Sequence, residues 1–177
     1  MIKCIIAPLL ILSGLTATAL AGSAPKQLYN KSILINWVEQ VSERAADGRV
    51  TTPTINSSRT VYVSSAGRLF VKGNRNINNR NFQGNKDIAV GPERSGGGSL
   101  NFQGDRLVGT AVFDGGARQL AASFASDFSS CSASVVYGKA GGAPAKWKGF
   151  DGVMREMISV NVGSVGCSVR DGNALAQ

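Results

Sequence analysis

The sequence contains no histidine. That absence excludes Ser-His-Asp catalysis, histidine-ligated zinc enzymes and an imidazole pH switch. Cysteine is scarce, with three residues in all, one of them Cys4 near the N-terminus. The other two, Cys131 and Cys167, lack the Cys-x-x-Cys spacing of a redox motif. The acidic residues are scattered and follow no calcium-loop pattern, so no metal and no cofactor is expected. Charged residues make up 17% against 43% apolar, a balance too apolar for a disordered chain. Beyond the first twenty or so residues there is no long hydrophobic run, so no transmembrane span is expected in the mature chain.

What is present begins with a leader. Met1-Ile2-Lys3 gives a positive start, Cys4 to Leu15 is apolar, and Ala19-Leu20-Ala21 is a small-x-small cleavage site. This order predicts a signal peptide over 1–21 and a mature start at Gly22. The chain is therefore expected to be exported, periplasmic or secreted, and the short leader favours a bacterium. Asn30-Lys31-Ser32 and Asn56-Ser57-Ser58 match the glycosylation sequon, which matters only in a eukaryotic host. Export turns Cys131 and Cys167 into a predicted disulfide. Cys131 shares strand parity with Ala133, Val135 and Tyr137, and Cys167 with Val165 and Val169, so both thiols should face inward.

Residues 22–177 read as a single all-β domain. The signals are alternation, β-branched residues and closely spaced turn dipeptides. Strands are expected over Ser32–Val38, Arg59–Ser64, Leu69–Val71, Ser99–Gln103, Arg106–Phe113, Ala117–Phe124, Cys131–Tyr137, Val153–Val162 and around Cys167–Arg170. Glu39–Ala46 reads as a continuation of the first strand, with a short helix as the alternative. Arg49–Ile55 reads as an edge strand broken by Pro53. Gly104-Asp105 marks a two-residue hairpin. In the Val153–Val162 strand, Met154, Ile158, Val160 and Val162 share a parity that Glu156 interrupts, and a bulge accounts for that exception. Gly163–Gly166 is expected to connect this strand to the last. The total, roughly eight to ten short strands, predicts an antiparallel meander, as an up-and-down barrel or alternatively a β-sandwich. A long polar loop is expected over 73–98, rich in Asn and Gly, with a short hairpin conceivable around Asn81-Phe82-Gln83-Gly84. That tetrapeptide recurs at Asn101–Gly104.

No catalytic constellation stands out. Gly-x-Ser-x-Gly is absent, and Gly96-Gly97-Gly98 does not open a helix. Glu39 and Glu43 have the parity of a carboxylate pair, and Glu156 could meet Asp151 across a strand end, but acids outside a motif read as solvated surface groups. Two sets of residues have the chemistry of contact surfaces. Arg68, Lys72, Arg75 and Arg80 form the densest basic stretch and would attract a phosphate-rich envelope polymer. Trp147 between Lys146 and Lys148 would stack on a sugar, base or headgroup, or else close one end of the fold.

Ser64-Ser65-Ala66-Gly67-Arg68 in a hairpin, Gly115-Gly116-Ala117-Arg118 before a strand, and Ser130-Cys131-Ser132-Ala133 give the mature chain its resemblance. It resembles the small uncharacterised exported β-rich proteins of Gram-negative bacteria, and the resemblance implies no activity. The expected function is therefore a non-catalytic exported binding module, holding a small apolar ligand inside the barrel. The alternative is a surface-interaction protein using the basic loop on anionic envelope polymers. Nucleic acid is not an expected partner.

Overall fold

A computed structural model describes residues 24–77, 80–85, 98–113, 116–139, 146–148 and 153–176. The proposed signal peptide lies outside the described residues. A single 3-10 turn, Lys26–Leu28, precedes eleven described strands: β1 (Lys31–Ala45), β2 (Val50–Thr51), β3 (Thr54–Val63), β4 (Leu69–Ile77), β5 (Arg80–Asn85), β6 (Gly98–Gln103), β7 (Arg106–Phe113), β8 (Gly116–Phe124), β9 (Cys131–Lys139), β10 (Lys146–Lys148) and β11 (Met154–Asp171). They form two antiparallel sheets. One has the order β10-β11-β1-β3-β4-β5, with β2 added beside β1, and the other is the meander β6-β7-β8-β9. Among the described residues no closed ring of strands joins them.

Alternation builds the core. Along β1, Ile33, Ile35, Trp37, Glu39, Val41, Glu43 and Ala45 are all buried, so strand wins over helix through Ala45. Their cross-strand partners on β3 are Val61 beside Ile33, Arg59 beside Ile35, Ser57 beside Trp37 and Ile55 beside Glu39. The second sheet contributes Phe102, Leu107, Leu120, Ala122 and Val135 to the same cluster. Leu28 and Phe128 belong to the same cluster, and the tilted Phe128 and Phe124 rings lie 5.6 Å apart between centroids. Each large side chain fully withdrawn from water contributes about 1.5–3 kcal/mol.

The disulfide forms as expected. Cys131 on β9 and Cys167 on β11 lie 5.5 Å apart at Cα, so the bridge joins the two sheets. The Gly104-Asp105 hairpin is also found, with Gly104 at φ 63.

Three expectations need correction. Arg49–Ile55 is not one strand: β2 ends at Thr51, the Pro53 carbonyl accepts from the Val41 N–H, and β3 starts at Thr54. The polar segment 73–98 contains the second half of β4 and all of β5, and β4 pairs with β5 from Lys72 to Asn85. Cross-strand register, not apolar content, carries that hairpin. Finally, Gly163–Gly166 is not a connection. β11 runs through it, and two register shifts against β1 each place one extra residue on β11. The first falls opposite Val38 and the second at Ile158. Each reverses the parity that strict alternation predicts. Met157 is buried while Ile158 and Met154 are exposed, and the inward series becomes Met157, Val160, Val162, Val165, Cys167 and Val169.

The Ser64–Arg68 turn depends on one glycine. Gly67 has φ 74, and a Cβ there would stand 2.6 Å from Tyr29 Oη. Gly67→Ala is expected to reduce unfolding free energy by about 1–2 kcal/mol, read from the urea midpoint. An unchanged midpoint would show that the turn tolerates a side chain.

Candidate functional site

Six polar side chains sit on the inward parity of five strands, next to the apolar core. They are Glu39 on β1, Ser57 and Arg59 on β3, Arg75 on β4, Arg118 on β8 and Tyr137 on β9. Register brings them together: Ser57 pairs with both Trp37 and Arg75, while Arg118 pairs with Tyr137. Beyond them, Val41, Ile55 and Met157 form a second apolar cluster. The polar group therefore separates two apolar ones.

Glu39 is the hub and is fully buried. Its Oε1 accepts from Arg75 Nη2 at 2.6 Å and from Ser57 Oγ at 3.1 Å. Its Oε2 accepts from Trp37 Nε1 at 3.0 Å and from the Tyr137 hydroxyl. Burial alone would raise the Glu39 pKa, but the Arg75 charge and the bonds from Tyr137, Trp37 and Arg75 outweigh it, leaving the carboxyl below its ordinary value. Burial, reinforced by the Glu39 charge and opposed by Arg118, raises the Tyr137 pKa, so this phenol remains a donor at neutral pH.

Trp37 carries two cations. Arg59 Cζ lies 5.7 Å and Arg118 Cζ 5.4 Å from its ring centre, and Arg118 also lies 6.0 Å from the Tyr137 ring. Arg59 donates to the Ser58 carbonyl at 2.7 Å. It has room because residue 73 is glycine: a Cβ there would meet Arg59 Nη1 at 2.5 Å. Burial pushes the Arg59 pKa down to about 10, and the positive charges of Arg118 and Arg75 act in the same direction.

These positions overturn the reading of Glu39 and Glu43 as solvated acids. Glu43 is also buried, accepts from Thr51 Oγ1 at 3.2 Å and pairs with Arg155 Nε at 3.1 Å. The two carboxylates do not form a catalytic pair. Four residues of extended strand separate them by about 13 Å, and each has its own partners. Glu156 pairs with the exposed Arg44 on the outer parity, as the bulge reading requires, while Asp151 lies outside the described residues.

The basic stretch is divided between faces. Arg75 turns inward to Glu39, whereas Lys72 pairs with Thr60 on the opposite parity. Arg68 stands 5.9 Å from the Phe70 ring beside the Tyr62–Phe70 pair. Arg80 begins β5, and its side chain lies outside the described ones. Lys146 is exposed, and β10 pairs with β11 opposite Glu156, Arg155 and Met154. The side chains of Trp147 and Lys148 lie outside those described. Among the described residues no group of three potential metal ligands occurs.

Sequence reasoning missed the cluster because it treated charge as a surface mark. The available signal was parity: Glu39 follows Ile33, Ile35 and Trp37, and Arg118 precedes Leu120, Ala122 and Phe124. No family model, curated protein or solved structure matches this chain.

Proposed function

We propose that this chain is an exported, non-catalytic binding module whose two sheets face each other as a sandwich, with its ligand taken up at the polar cluster around Trp37. One observation carries the reading: polar and aromatic side chains from both sheets converge beside a core that Ile33, Ile35, Phe102 and Leu107 already fill. A ligand therefore has its recognition chemistry at the polar end rather than in the apolar interior. Arg59, Arg75, Arg118 and Tyr137 are half-buried, which gives that end a route to solvent. Glu39 supports binding over catalysis. A carboxylate held below its ordinary pKa and bonded by four donors is a poor general base. The inter-sheet disulfide is compatible with export, since such bonds persist in oxidising compartments.

Native mass spectrometry of protein isolated from the export compartment tests this reading. A retained small molecule, lost on denaturation, is the expected result. The absence of an adduct, together with no rise in melting temperature across apolar, neutral polar and anionic compounds, would overturn it.

A further inference from the structure

Charge is unbalanced in the polar cluster. Arg75 is matched by Glu39 at 2.6 Å. Arg59 and Arg118 bring two further positive charges to the same Trp37 ring. Among the described residues, the other ion pairs are Lys31–Asp171, Arg49–Asp47 and Arg155–Glu43, and none of them involves Arg59 or Arg118. Half-buried like charges repel one another in a medium less polar than water. Packing does not require this arrangement: an apolar residue at either position would continue the Ile–Val or Leu–Ala series of its own strand. Glycine at 73 makes the room that the Arg59 guanidinium itself occupies, since a Cβ there would stand 2.5 Å from Nη1. The three cations come from both sheets, two from β3 and β4 and one from β8. Planar guanidinium donors suit tetrahedral oxyanions.

We propose that Arg59, Arg75 and Arg118 bind a doubly charged phosphate-monoester group between the two sheets. The inference rests on the binding-module reading and names the ligand's chemistry. The two positive charges of Arg59 and Arg118 match the charge of the group. Arg59 and Arg118 stay seated on Trp37 and turn their N–H edges to the phosphate oxygens, while Arg75 remains anchored by Glu39. The phosphate belongs either to a soluble metabolite or to a lipid headgroup, two sources of the same chemistry.

Titration calorimetry with inorganic phosphate, against sodium chloride of equal ionic strength, gives the first arm. Flotation with phosphatidylcholine vesicles carrying phosphatidic acid gives the second. Binding in the first arm assigns a soluble ligand, and binding in the second alone assigns a headgroup. Arg118→Gln should weaken either by at least about tenfold, the scale of one charge-assisted contact, and Arg118→Lys should restore part of it. The free Arg118→Gln protein should melt no lower than wild type at low salt, because the substitution relieves repulsion on Arg59. A purely structural Arg118 predicts the opposite, a lower melting temperature with phosphate binding absent or unchanged. No phosphate response in either arm, or the same response in Arg118→Gln, would overturn the proposal. In that event a neutral adduct in the native mass spectrum leaves the binding-module reading standing, and its absence removes both.

Discussion

Glu39→Gln is expected to destabilise the fold by about 3 kcal/mol at neutral pH. Removing one partner of a buried ion pair costs roughly 3–5 kcal/mol, and the lower end applies because the Arg75 side chain retains 29% exposure. Glutamine keeps the shape but makes two errors. It removes the single carboxylate among the described residues that offsets Arg59, Arg75 and Arg118. It also puts an NH2 group where two of the four incoming donors need an acceptor. The pH dependence should change with it. The folded carboxyl lies below its ordinary value of 4.5, so the unfolded chain binds that proton first as pH falls. Wild type should therefore carry the full Glu39 contribution above about pH 5 and lose it as pH falls through the depressed folded value. The variant should lack that part of the slope. Urea midpoints from pH 7 downward measure both effects. A variant within about 1 kcal/mol of wild type, with the same acid slope, would show that the cluster does not depend on its carboxylate.

The strands were legible in the sequence wherever one face is apolar and the other is not. Alternation from Ile33 to Val41 and from Leu120 to Phe124, with the turn at Gly104, places β1, β7 and β8 within a residue or two of their observed bounds. Parity also brings Cys131 and Cys167 to the same interior. It fails where a strand gains a residue. Glu156 on the apolar parity hints at a bulge in this strand, but nothing local places it at Ile158 or marks the Gly163-Ser164 step, because the extra residue is defined only against the partner strand β1. β5 showed only as a conceivable hairpin around Asn81–Gly84, because a hairpin stabilised by cross-strand register needs no apolar run. The site was hidden for a related reason. One or two polar residues on each of five strands look like ordinary breaks in alternation, and only the register of both sheets shows that Glu39, Ser57, Arg59, Arg75, Arg118 and Tyr137 meet.

Replacing both Cys131 and Cys167 by Ala is expected to cost about 4 kcal/mol, the chain-entropy value for a closed loop of 36 residues. For a domain of this size that corresponds to a fall of roughly 10 °C in melting temperature. Alanine is the informative choice, since serine would bury hydroxyls beside Phe124 and Ile35, the cross-strand neighbours of the two cysteines. The loss should not be shared evenly. Within each sheet the backbone ladders stay intact, whereas the bridge is the covalent link between β9 and β11. Hydrogen exchange should therefore rise first in β9, an edge of the four-stranded sheet, and less in β1, which is paired on both sides. The consequence reaches the site, because Tyr137 on β9 donates to Glu39 on β1 and Arg118 on β8 lies over Trp37 on β1. Each of these contacts crosses from one sheet to the other, so the variant should lose ligand response at temperatures where it is still folded by circular dichroism. Equal melting temperatures for the oxidised protein and the double variant, with unchanged exchange in β9, would show that core packing alone holds the sheets in register.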